Sequence, residues 1–289
     1  MIIPTFSTVA CPEWPIETVL ERAVRFGFVA VELRTFGDDS RGFASDPALT
    51  APEKIRALSD KFGISVAQLG TSCAFGDPIN PPLIGLVIGD QERGVRAARR
   101  AIDLAAMTEC PLVRVFGYDI PASETRRSGV ARVAERLKKV ADHAHRTGVR
   151  VVLENGGSFQ RASEIAEVLD AVDSNLVGAC LNFAVAHAAG DTPESAINVL
   201  DMRLFSAKFK DLRGGRPCPL GQGELPVRAA VAALAASGFS GPLIYEWDRA
   251  WTSGLDGPDV ALPHAAQTLF GLLSEFVPTR RPAGQRAGA

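Results

Sequence analysis

Cysteine is scarce: five residues in 289 (Cys11, Cys73, Cys110, Cys180 and Cys218), an odd and scattered set without a C-x-x-C pair. That pattern argues against a disulfide framework and against a zinc knuckle, and each thiol is expected to be a small buried or loop residue. An excess of one charge is also missing. The formal net charge is −2 at neutral pH, which offers no footprint for nucleic acid or an anionic membrane. No apolar run approaches the roughly 20 residues of a membrane span. Met1-Ile-Ile-Pro-Thr5 lacks a basic leader region, so a cytoplasmic location is expected. No G-x-G-x-x-G follows the first apolar run and no Walker A motif occurs, which removes specific support for a dinucleotide or nucleoside triphosphate fold.

What remains is an ordinary globular composition, 46% hydrophobic and 22% charged, with ample material for a core. Short β-branched runs alternate with amphipathic stretches about eight times. The strand readings are Ile2–Ser7, Phe28–Arg34, Ile64–Leu69, Leu112–Phe116, Val149–Glu154, Leu176–Asn182, Leu204–Asp211 and Leu243–Trp247. Between them, helices are expected over Trp14–Phe26, from the capping box Thr50-Ala-Pro-Glu53 to Gly63, and over Asp90–Met107 and Glu124–Arg146. Further helices are expected near Ser163–Ala171, Pro193–Leu200, Pro226–Ser237 and Ala261–Phe276. Eight β-α units imply parallel strands with right-handed crossovers, and the count suits a single closed (β/α)8 TIM barrel better than an open doubly wound sheet. The barrel is expected over residues 1–277. The Pro/Gly/Arg-rich stretch 278–289 is expected to be a disordered tail.

In such a barrel, chemistry gathers at the carboxyl ends of the strands. Those ends carry Glu32 and Arg34, Arg114, Glu154, Asn182, Lys208 and Glu246. Glu154 and Glu246 each close an apolar run, Val151-Val-Leu153 and Leu243-Ile-Tyr245, on strands separated by two others. Paired carboxylates facing each other across a barrel mouth suit proton abstraction and return, or metal chelation. Lys208 stands in mid-strand between Ala207 and Phe209, on the same face as Ser206 and Lys210. A lysine there needs a carboxylate partner or a functional role.

Several stretches together resemble one family: Val31-Glu-Leu-Arg34, Val113-Arg-Val-Phe-Gly117, the strand-five Glu154, Lys210-Asp211, Leu220-Gly-Gln-Gly-Glu-Leu-Pro226 and Tyr245-Glu-Trp-Asp-Arg-Ala-Trp251. The chain is similar to the xylose-isomerase-like barrels, the sugar phosphate isomerase/epimerase family that also includes endonuclease IV. The likeness runs from the first strand to about Phe276. It implies one divalent metal held by Glu, Asp, His and Glu at the ends of strands five to eight. Those positions here are Glu154, Asn182, Lys208 and Glu246. The outer two match the pattern and the inner two depart from it. The histidine usual three residues beyond the strand-six aspartate is Val185, with His187 two residues further on.

An ammonium put where a divalent cation would sit repels that cation, and a neutral lysine would need a large downward pKa shift. A metal-free site is therefore favoured, with Lys208 bridging Glu154 and Glu246 and no cofactor. The alternative keeps Mn²⁺ or Mg²⁺ on Glu154, Asn182 and Glu246. Lys208 is read as an electrophile or proton shuttle, or as a structural ion pair. A Schiff base is disfavoured, because two close carboxylates keep the amine charged. His187 is a candidate acid/base. Asn182, Arg34, Arg114, Arg213 and Trp247 are candidate substrate contacts. The expected activity is an isomerase or epimerase working next to the carbonyl of a polyol, sugar or keto-sugar. A lyase (dehydratase) is the runner-up, and a catalytically dead ligand-binding barrel is the non-enzymatic reading. Nucleic acid and membrane are not expected as partners; a homo-oligomer would be ordinary for a barrel enzyme.

Overall fold

The structure is a computed structural model and describes residues 1–76 and 92–276. The eight β-branched runs form eight strands: β1 (Ile2–Ser7), β2 (Ala30–Arg34), β3 (Ser65–Ala74), β4 (Leu112–Phe116), β5 (Arg150–Glu154), β6 (Val177–Asn182), β7 (Leu204–Phe209) and, after a hairpin, β10 (Gly241–Tyr245). They close into a barrel in the order β1-β10-β7-β6-β5-β4-β3-β2, every neighbouring pair parallel. The helices are α1 (Ile16–Phe26), α2 (Pro52–Phe62), α3 (Arg93–Met107), α4 (Arg126–Ala144), α5 (Ala162–Val172), α6 (Phe183–Ala188), α7 (Pro193–Leu200), α8 (Val227–Ala236) and α9 (Pro258–Phe276). The single (β/α)8 barrel read from the alternation is the fold.

The helices bury the faces their sequences predict. In α1, Ile16, Val19, Leu20 and Ala23 are buried at helical spacing, and Gly27 ends the helix at φ 85°. These faces pack on the outward side chains of the strands and make the main core. Inside the barrel a second, smaller apolar group is formed by Leu112, Val152 and Cys180. Two residues further along the same strands, on the same inward face, come Arg114, Glu154 and Asn182. The barrel interior is thus apolar at its floor and charged toward the carboxyl ends.

Four local readings change. β3 runs on to Ala74, five residues past its expected end, because Gly70 pairs with Arg114 of β4 and, after a register shift, Ala74 pairs with Phe116. The capping box at Thr50 does not form: α2 starts at Pro52 with Ala51 as its N-cap and no side-chain cap, while Thr50 closes a preceding 3-10 turn. The seventh strand stops at Phe209, and Asp211–Arg213 (β8) pairs instead with Arg216–Cys218 (β9) in an antiparallel hairpin. The short α6 is an addition to the expected helices; the Asn182 side chain caps it by accepting from the Ala184 N–H. All five cysteines are free, four of them buried. The expected tail 278–289 and the Asp90 start of the third helix lie outside the described residues.

Candidate functional site

Lys208 is fully buried, and its Nζ lies within ion-pair distance of three carboxylates: Glu246 Oε1 at 2.7 Å, Glu32 Oε1 at 3.0 Å and Glu154 Oε2 at 3.4 Å. Lys208 pairs with Asn182 on one side and Ile244 on the other, all on the inward face, and Glu246 follows Ile244 by two residues on that face. Glu32 enters from β2, across the barrel from β6. Every oxygen of the three carboxylates has a polar partner. Gln68 donates to Glu32 Oε2 at 2.6 Å, and Arg114 Nε lies 3.0 Å from Glu154 Oε2. Asn182 Nδ2 donates to Glu154 Oε1 at 3.0 Å and to Glu246 Oε2 at 3.5 Å, and Lys210 Nζ stands 3.8 Å from that second oxygen. Asn155 holds the Asn182 backbone from both sides, accepting from its N–H at 2.6 Å and donating to its carbonyl at 3.2 Å.

The electrostatics arise from this packing. Burial by itself would push the Lys208 pKa down; Glu154, Glu246 and Glu32 outweigh it, and the net shift is upward. Burial penalises the charged forms of Glu32 and Glu246, yet Lys208 and, respectively, Arg114 and Lys210 hold both below the usual carboxylate range. Burial also works against the charge of Arg114, and Glu154, Glu32 and Glu246 reverse that. The Cys180 thiol beneath the cluster is pushed up by burial to about 12 and is inert at neutral pH. Three carboxylates against Lys208 and Arg114 leave one net negative charge. The expected set of one lysine and two glutamates carries the same net charge with fewer groups.

Above the cluster the mouth carries two aromatic groups. Phe36, Phe43 and Trp251 pack together, with Phe36 and Phe43 stacked at 4.0 Å between centroids. Phe116 and Tyr118 stack at 4.5 Å beyond β4, which stands opposite β10 in the barrel. The Arg114 guanidinium lies 4.3 Å over Phe116, and Arg34 lies 5.9 Å from Phe36 and 5.8 Å from Trp251.

The family model described as xylose isomerase-like TIM barrel matches residues 20–269. The chain belongs to the xylose isomerase-like TIM barrel family. No curated protein matches this family member. Solved structures with the same fold include the IOLI protein with a binding zinc atom, at 17% identity and TM-score 0.79, covering 96% of this chain and 100% of that one. An L-ribulose 3-epimerase aligns at 18% identity and TM-score 0.78 over 95% of each chain. The 3-keto-D-glucoside 4-epimerase of E. coli aligns at 16% identity and TM-score 0.76, over 94% of this chain and 100% of that one.

The barrel brings together Glu154, Glu246, Lys208, Asn182 and Arg114 as expected, and it adds Glu32. The signal for Glu32 is present in the sequence: a charged residue between Val31 and Leu33 in a strand poses the same question as Lys208. Three other candidates are not brought to the cluster. His187 lines a small apolar crevice with Phe183, Phe209, Lys210 and Leu225, because the turn of α6 carries it outward; among the described residues it makes no hydrogen bond or ion pair with the cluster. Arg213 is exposed on the β8–β9 hairpin and donates to the Gln222 carbonyl. Trp247, one residue past the inward Glu246, is buried in the outer core with its indole N–H on the Asp256 carbonyl at 2.9 Å. Arg34 remains at the mouth.

The metal set of the family does not fit these residues. The Lys208 ammonium already stands between Glu154 and Glu246, and a divalent ion there would meet it at contact distance. Asn182 offers the carboxylates its NH₂, since its carbonyl oxygen accepts from the helix N–H of Ala184. Among the described residues no group of three His, Cys, Asp or Glu side chains is placed to share a metal ion.

Proposed function

We propose that this family member moves a proton next to the carbonyl of a small polyol, sugar or keto-sugar, acting as an isomerase or epimerase in which Lys208 takes the place of the metal ion. The observation that carries the reading is the buried Lys208 ammonium among Glu32, Glu154 and Glu246. Sugar epimerases recur among proteins of the same fold, which supports the substrate class.

Lys208 donates a hydrogen bond to Glu246 Oε1 at 2.7 Å, while Glu32 Oε1 and Glu154 Oε2 stand at ion-pair distance without a hydrogen bond from it. Its first role is to hold Glu246 ionised and ready to act as a base. Glu246 has the largest exposure of the three carboxylates, 9% against 5% for Glu154 and none for Glu32. In the step proposed, a substrate C–H bond breaks, its proton goes to Glu246, and the electron pair moves to the carbonyl oxygen as an enediolate. Neutralising Glu246 loosens its hold on Lys208, whose positive charge then faces the new oxyanion. Net charge in the cluster is conserved, so no ion is desolvated during the step. Return of the proton from Glu246 to the neighbouring carbon, as the adjacent hydroxyl proton passes to the oxyanion, gives isomerisation. Epimerisation requires Glu154 first to take a proton from solvent, which it then delivers to the opposite face of the same carbon while Glu246 keeps the abstracted one. Loss of a β-hydroxyl from the same enediolate would make the protein a dehydratase, the runner-up. The pairing of the Lys208 charge with three glutamates favours a second reading, a ligand-binding barrel without turnover.

The test combines metal analysis with exchange of the substrate α-proton in D₂O, followed by NMR over a panel of ketoses and keto-sugars. Metal-free wild-type protein that washes in deuterium, together with uptake of about one divalent ion by the Lys208→His/Asn182→Asp protein, is the expected result. Stoichiometric metal in the wild type would sink the ammonium-for-metal reading. Binding without exchange anywhere in the panel would make the chain a ligand-binding barrel.

A further inference from the structure

Arg34 is a buried cation of the barrel mouth that no carboxylate among the described residues pairs directly. It is 8% exposed, yet its two contacts are neutral: Nη1 donates to the Gly70 carbonyl at 2.9 Å and Nη2 to Ser72 Oγ at 3.0 Å. No Asp or Glu among the described residues lies within ion-pair distance of it. The other cations of the site are all paired: Lys208 with three glutamates, Arg114 with Glu154, and Lys210 with Asp248 at 2.7 Å. Burial and the neighbouring Arg114 push the Arg34 pKa down to about 10 against the weaker opposing pull of Glu32, Glu246 and Glu154, so it stays charged at neutral pH. Removing a guanidinium from water without an anion is costly, and such groups are normally paired.

Position makes this more than a packing detail. Arg34 stands two residues beyond Glu32 on β2 and so shares its inward face, one layer nearer the mouth. Its guanidinium lies beside the packed Phe36 and Trp251 rings, 5.9 and 5.8 Å from their centroids, and Trp251 is 57% exposed. The rings fix the guanidinium and leave an apolar shelf beside it. Two of its five N–H groups are engaged, which leaves three for a ligand.

We infer that Arg34 binds a carboxylate on the substrate, so that the substrate class is a sugar acid or other hydroxy-keto acid whose carbon skeleton rests against Trp251. This rests on the proton-transfer reading for the chemistry, but not for the binding. A carboxylate suits the site better than a phosphate. One unpaired guanidinium matches a single negative charge in planar, bidentate geometry, whereas a dianion would need further cations that are already held by glutamates.

The experiment uses matched probes: D-fructuronate, D-fructose and D-fructose 6-phosphate, extended to other ketoses with their terminal acids and phosphates. Binding is read by calorimetry and by the rise in Tm, and chemistry separately by deuterium exchange. The wild type is expected to bind an acid about 10–100-fold tighter than its neutral partner, the range of one charge-assisted bidentate contact. In Arg34→Met the acid-to-neutral ratio should fall to about one, while Arg34→Lys should keep part of it. Tm without ligand shows whether each variant folds; if Arg34→Met does not, the wild-type ratio and Arg34→Lys still decide. Equal binding of acid and neutral partners across the panel, or preference for the phosphate, overturns the inference. Acid-selective binding without exchange upholds it while removing the proposed chemistry.

Discussion

Lys208 holds together three side chains that would repel one another without it. Removing one partner of a buried ion pair leaves uncompensated charge, which typically costs about 3–5 kcal/mol. Lys208→Met is therefore expected to lower unfolding free energy by about that amount at pH 7, measured in urea. Part of the loss should return below about pH 4, where the carboxylates take up protons. A loss under about 1 kcal/mol would mean that Glu32, Glu154 and Glu246 do not depend on the ammonium. Glu32 can be reached by the reasoning applied to Lys208, since both are charged residues between apolar neighbours in a strand. The strand-end argument includes Glu32 in its set but singles out Glu154 and Glu246, because those two close their apolar runs.

At the scale of elements, Asp211 organises the chain just beyond β7. Its carboxylate accepts from the backbone N–H groups of Leu212, Gly221, Gly223 and Leu225, at 2.8–3.2 Å, and is 1% exposed. Gly223 approaches so closely that a Cβ there would collide with the Asp211 carboxylate. Asp211→Ala strands those donors and is expected to cost about 2–3 kcal/mol. Amide exchange at residues 221–225 should quicken while α4 is unchanged; uniform quickening throughout the chain would instead point to global destabilisation. The motifs Lys210-Asp211 and Leu220–Pro226 thus meet in space, the second wrapped around the carboxylate of the first. Sequence order shows both motifs and cannot show that one binds the other, because their link is made by backbone N–H groups that carry no side-chain signature.

For the whole molecule, the charged interior predicts how stability varies with pH. Glu32 and Glu246 have lowered pKa values when folded, so their contribution is present above the unfolded value of about 4.3 and is lost as pH falls through the folded values. Lys208 is raised when folded, so its contribution is present below the unfolded value of about 10.4 and is lost as pH rises through the folded value. Unfolding free energy should therefore form a plateau between roughly pH 5 and 8 and fall on both sides, the alkaline fall beginning near the unfolded thiol value of about 8.5 because burial raises Cys110 and Cys180 to about 12. Glu246→Gln should flatten the acid limb, and an acid limb of unchanged slope would show that Glu246 is not part of it. Among the described residues no helix is long and apolar enough to cross a membrane.

The sequence by itself determined the barrel, because eight alternations of β-branched runs with amphipathic helices leave few other ways to bury both surfaces. It also determined that the inner two positions of the family's metal set are an amide and an ammonium, since those identities are local. Tertiary structure alone decided which charges meet. Whether Lys208 faces two glutamates or three, and whether Arg34 has a partner, depends on barrel closure bringing β2 across from β6. That closure also left His187 in an outer crevice, where a helical turn rather than sequence distance sets its direction.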